Sequence, residues 1–134
     1  MRTVYFGAML AALAWDAGCS SSSNNGGGGG AGSAFTGTWR CDETGTVTTG
    51  GQTQSTIQAR VLVITANGNG LSIEDHGQDG GGGNPCPTTA SVSGVTATFT
   101  ANQTCMSDDA GGGFTVASGT ATVSGNMLAY DVSL

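Results

Sequence analysis

Lysine is absent from this 134-residue chain, histidine occurs once, proline twice and arginine three times, against nine carboxylates and a formal charge of −6. A chain this acidic, with no basic cluster, cannot neutralise a phosphate backbone or adhere electrostatically to anionic lipid, so nucleic-acid binding is excluded. Long apolar runs are missing too. The longest, "VYFGAMLAALAW" at residues 4–15, holds twelve residues, where a membrane-spanning helix needs about 20. No stretch carries the 3.6-residue apolar period of an amphipathic helix. Gly-x-Ser-x-Gly, His-Glu-x-x-His, a phosphate-binding loop and Cys-x-x-Cys do not occur. Any Ser-His or Cys-His mechanism would depend on the single imidazole, His76, and eight carboxylates beyond Asp16 single out no catalytic pair. No catalysis, cofactor or metal is expected.

What is present begins with an export signal. Arg2 supplies a positive start, residues 4–15 an apolar stretch of the right length, and small residues follow. Asp16-Ala17-Gly18-Cys19, with serine at residues 20–23, resembles the lipobox of bacterial lipoproteins, in which a small residue and a glycine precede the cysteine that is acylated. That resemblance implies lipidation of Cys19, membrane contact through an N-terminal lipid, and a place in the cell envelope. Ser20 after the anchor is the outer-membrane pattern in enteric lipoproteins. Asp16 departs from the motif, which asks for an apolar side chain there. The alternative is ordinary cleavage after "ALA" at residues 12–14, leaving Cys19 as a free or disulfide-bonded thiol. On the lipoprotein reading, residues 1–18 are a signal peptide and 19–33 a lipidated cysteine with a Ser/Gly tether. Residues 34–134 then form a single β domain. A tether of that composition cannot bury enough surface to fold, and its reach is roughly 20 Å.

The body is rich in threonine and valine and punctuated by glycine, an all-β composition. "FTGTWRC" (35–41) sets Phe35, Trp39 and Cys41 on one face. "STIQARVLVITANGNGLSIED" (55–75) reads as a hairpin turning at "ANGNG", with Ile57, Ala59, Val61 and Val63 inward, then Leu71 and Ile73. "ASVSGVTATFTA" (90–101) turns at Ser93-Gly94 with Val95, Ala97 and Phe99 inward. "GFTVASGTATVSGNMLAYDVSL" (113–134) gives two strands around "SGN", with Leu128, Tyr130, Val132 and Leu134 on one face. With a weaker "GTVTT" (45–49) this makes seven or eight short antiparallel strands. A small up-and-down barrel is expected, with a β-sandwich as the alternative. Gly37-Thr38-Trp39 ahead of this meander resembles the Gly-x-Trp opening of lipocalin-like domains, which implies a barrel closed at one end by Gly37 and Trp39. In composition and layout the chain also resembles small Gly/Thr-rich lipoproteins of δ-proteobacteria, a likeness that implies no activity.

Four cysteines in an exported chain point to disulfides. With Cys19 acylated, Cys86 and Cys105 are expected to pair across the open ends of the 88–104 hairpin. Cys41 is then left as a buried small hydrophobe, the rival being its pairing with either Cys86 or Cys105. With Cys19 free, three full pairings are possible. "EDHGQDGGGGNPCP" (74–87) gathers Glu74, Asp75, Asp79 and His76, but without calcium-loop spacing it reads as a solvated turn, as do Asp108 and Asp109. Pro85 and Pro87 mark a rigid entry to an edge strand. Two functions follow, of which the first is favoured because the inward residues offer little bulk to surround a large ligand. The first is an anchored structural or interaction module, whose envelope protein or glycan partner the sequence does not name. The second is a carrier of a small apolar ligand inside a lipocalin-like barrel, which requires an unfilled apolar cavity.

Overall fold

The structure, a computed structural model, describes residues 12–21, 32–77, 86–106 and 113–134. The strands are β1 (Ala12–Ser21), β2 (Gly37–Thr49), β3 (Gln52–Asn67), β4 (Gly70–Asp75) and β5 (Thr88–Ser93). Then follow β6 (Thr96–Phe99), β7 (Thr104–Met106), β8 (Gly113–Thr115), β9 (Ser118–Ser124) and β10 (Met127–Ser133). Eight of them close an antiparallel barrel in the order β1-β10-β9-β6-β5-β4-β3-β2, with β2 returning to β1, while β7 and β8 form a separate hairpin. The described part is all-β, in keeping with a small lipocalin-like barrel.

Local chemistry makes this wall. Two-residue loops join β2 to β3, β3 to β4, β5 to β6 and β9 to β10. Each opens on a glycine with positive φ: Gly50, Gly68, Gly94 and Gly125. A left-handed first position matches the twist of the flanking strands, and an L side chain resists it. Period-two alternation then sends Ala17, Cys19, Trp39, Cys41, Leu62, Ile64, Leu71 and Ile73 inward, and Ala90, Ala97, Phe99, Ala121, Val123, Leu128, Tyr130 and Val132 with them. The core is the barrel interior.

Where β5 and β6 part, the Gln103 side chain joins them. Its Oε1 accepts from the Thr89 amide at 2.6 Å, and its Nε2 donates to the carbonyls of Thr89 at 2.9 Å and Thr100 at 2.6 Å.

Several expectations are corrected. Ile57 is 77% exposed, and from Arg60 onward β3 turns its even-numbered residues inward. Val61 is buried because His76 and Gly77 pair with its backbone. Val95, expected inward, occupies the β5–β6 turn and is 59% exposed. Residues 37–41 and 45–49 belong to one strand, β2, with Phe35 and Thr36 ahead of it. Two segments join the barrel from outside the expected body of residues 34–134: residues 12–21 are a strand paired with both β2 and β10, and residues 32–35 form a turn against it. The physical reason is alternation: Trp15, Ala17 and Cys19 point inward while Asp16, Gly18 and Ser20 face water. Cys19 is bonded to Cys41, which is therefore half of a disulfide and no lone hydrophobe. The thioether that the lipobox resemblance implies would need this sulfur free of Cys41. Residues 1–11 of the expected signal peptide (1–18) and residues 22–31 of the expected tether (19–33) lie outside the described residues.

Candidate functional site

The two ends of the barrel differ. At one, Phe35 and Trp39 are buried and close the floor. The Trp39 indole N–H donates to the Phe35 carbonyl at 2.7 Å, and the Phe35 amide bonds Gly32 to complete the turn. Gly32 has φ +85°, and a Cβ there would meet Leu71 at 2.9 Å, so the turn sits hard against the core. Gly37 and Trp39 thus stand at a closed end, and β2 register places Trp39 against Leu62 and Ser21.

The other end is not filled. A cavity of about 250 Å³ opens there, walled by Trp15, Leu62, Ile73, Phe99, Val116 and Val132, with Leu134 and the Cys86 region at its rim. Trp15 lies across Gly45 on the neighbouring strand, where a Cβ would come 2.5 Å from the indole ring. Glycine is needed at that position for space, not for backbone conformation.

Five polar side chains line this cavity: Glu43, Arg60, Asp75, Thr88 and Tyr130. Arg60 Nε lies 3.3 Å from Glu43 Oε2, one terminal nitrogen lies 3.5 Å from Asp75 Oδ2, and the other donates to Gln58 Oε1 at 2.8 Å. The Nε contact is close enough to be an ion pair but is not aligned for a hydrogen bond. We read it as electrostatic. The Tyr130 hydroxyl lies beside Glu43, and the Gly77 amide donates to Asp75 Oδ1 at 2.8 Å. Burial raises the Glu43 carboxyl above its usual range, against the pull of Arg60 and with a further push from Asp75. Burial also raises the Tyr130 phenol, and the charges of Glu43 and Asp75 add to it. The phenol stays protonated and remains a donor.

Alternation brings these groups together: Glu43 shares parity with Trp39 and Cys41, Arg60 with Leu62 and Ile64, Tyr130 with Leu128 and Val132. Sequence reasoning singled out none of the first two. The signal was there in the parity, but a charged residue at an inward position reads as a break in a strand unless its partner is known.

The remaining sequence candidates are dispersed. Cys86 and Cys105 are joined, tying the start of β5 to β7. Glu74 contacts His76 Nε2 at 3.0 Å, while Asp75 turns to Arg60. Asp79, Pro85, Asp108 and Asp109 lie outside the described residues. Among the described residues no group of three His, Cys, Asp or Glu side chains could hold a metal. No family model matches the chain, and neither a curated protein nor a solved structure matches it.

Proposed function

We propose that this protein is an exported barrel that binds a small, mainly apolar molecule in its open end. The observation that carries the reading is the cavity: unfilled, walled by apolar and aromatic side chains, with a few convergent polar groups. A barrel of this size is normally filled by its own side chains. Two disulfides accord with export, since such bonds persist in oxidising compartments. Cleavage after Ala14 would leave β1 from Trp15 onward and keep both disulfides, whereas cleavage before Cys19 would remove most of that strand. The first is the processing we favour.

Calorimetric titration with 3-phenylpropanol, a neutral one-ring probe, tests the reading. Saturable binding is expected, lost in Val132→Phe, which fills the cavity, with the circular dichroism of the barrel retained. Failure of the wild-type protein to bind this probe or its charged analogues would sink it. Intact mass of the exported protein checks the processing. We expect Trp15 first, with four hydrogens gained on reduction; acyl chains on Cys19 would instead establish the anchored form.

The anchored interaction module is the second reading, favoured by one surface feature. Ile57 and Val47 are exposed on the β2–β3 hairpin, and residues 52–60 of β3 have no strand partner beyond β2 among the described residues.

A further inference from the structure

The ligand's charge can be read from the donors and acceptors of the cavity, given that the cavity is a binding site. Its wall holds two carboxylates, Glu43 and Asp75, and one guanidinium, Arg60, so its formal charge is −1 inside a chain of −6. The strongest donor, Arg60, is turned to the wall's own oxygens: its three nitrogens face Glu43, Asp75 and Gln58. The Tyr130 hydroxyl lies beside Glu43, and the Thr88 hydroxyl is directed to the Ile73 carbonyl at 3.4 Å. Arg60 Nε, which is buried without a hydrogen-bond partner, faces Glu43 Oε2. An anion competing for it would stand against both carboxylates.

Acceptors, by contrast, are in excess. Two carboxylates offer about eight lone-pair sites against the five N–H groups of one guanidinium. A ligand must therefore bring donors, and positive charge is favoured over neutral. The apolar wall agrees, because Trp15, Phe99 and Tyr130 present three aromatic rings, and aromatic faces attract cations within about 6 Å. Size narrows the class further. About 250 Å³ lies just below the ~300–1,000 Å³ of sites for drug-sized ligands, which suits one ring and a short chain.

We propose that the cavity takes a small organic monocation, an ammonium or amidinium group on a compact apolar body, with its charge at Glu43 and Asp75 and its body among Trp15, Phe99 and Val132. Acidic net charge steers such a ligand toward the protein and repels its anionic counterpart.

The test uses three probes of matched shape on the full, oxidised chain: 3-phenylpropylammonium, 3-phenylpropanol and 3-phenylpropionate. Affinity is measured by calorimetry, with Trp15 emission as a second readout and Trp15→Phe as its control. The ammonium should bind at least about tenfold more tightly than the alcohol at low salt, an increment of ~1.4 kcal/mol, and the propionate more weakly than either. Asp75→Asn should bring the ammonium and the alcohol within about threefold of each other. Its side chain is 44% exposed, so the fold should survive the change. Glu43→Gln should act in the same direction where it folds. Equal binding of ammonium and alcohol would overturn the cation assignment while leaving the cavity reading standing, as would tighter binding of the propionate. A cation preference undiminished in Asp75→Asn and Glu43→Gln would trace it to overall charge and overturn the site. Absence of binding by all three probes would remove both readings.

Discussion

The Gln103 amide supplies a donor and an acceptor where the β5–β6 ladder lacks them. Gln103→Ala leaves the half-buried Thr89 amide and the exposed Thr100 carbonyl without that partner, a loss of about 0.5–1.5 kcal/mol, to be read from the urea midpoint. Gly45→Ala acts through Trp15: the added Cβ displaces the indole, so tryptophan emission should shift to the red and probe affinity should fall. The two buried ionisable groups set opposite limits of a pH profile. Glu43 holds its proton more tightly folded than unfolded. Stability therefore falls as pH rises from the ordinary carboxylate range of about 4.3 through the raised value, and Glu43→Gln should flatten that slope. Tyr130 keeps its proton in the folded chain above the value of about 10 at which an unfolded tyrosine ionises. Stability should decline again in that alkaline range, and Tyr130→Phe should remove its share of the decline. Urea midpoints taken across pH separate the two.

At the scale of elements, β1 is the informative strand. Residues 12–21 carry two signals at once, an apolar stretch ending in small residues and an alternation from Trp15 to Ser20. The first hides the second in a linear reading, because the end of a leader and the start of a strand share Ala, Leu and Gly. Only the partners decide, and those are Cys41 on β2 and Tyr130 on β10. The hairpins were legible because glycine-led turns and threonine-valine alternation are local properties. The phase of β3 was not, since Ile57, Ala59, Val61 and Val63 form as good a stripe as Arg60, Leu62 and Ile64. The choice depends on where Glu43 and Asp75 lie. The Cys19–Cys41 bond closes a separation of 22 residues, for which chain entropy predicts about 3 kcal/mol. A Cys19→Ser/Cys41→Ser variant should lose about that much in denaturant. It should also gain protease sensitivity at β1, because freeing that strand exposes the edges of β2 and β10. The Cys86→Ser/Cys105→Ser variant should spare the barrel wall.

For the whole molecule, the closed barrel follows from alternation and turn spacing, whereas the cavity does not. An empty volume is what remains after every inward side chain is placed, and no single residue announces it. What the wall does announce is an order of events. Its seam joins β1 to β10, Ala14 opposite Ser133 and Cys19 opposite Leu128. Within the barrel, the first strand in chain order thus waits for the last. A chain arrested before residue 127 cannot seal the wall, whatever its earlier hairpins have achieved, and such distant pairing is slow to form. The polypeptide should accordingly remain threadable throughout synthesis and acquire its interior in one late step. Protease resistance in ribosome-bound chains of increasing length should then switch on only once all of β10 has emerged.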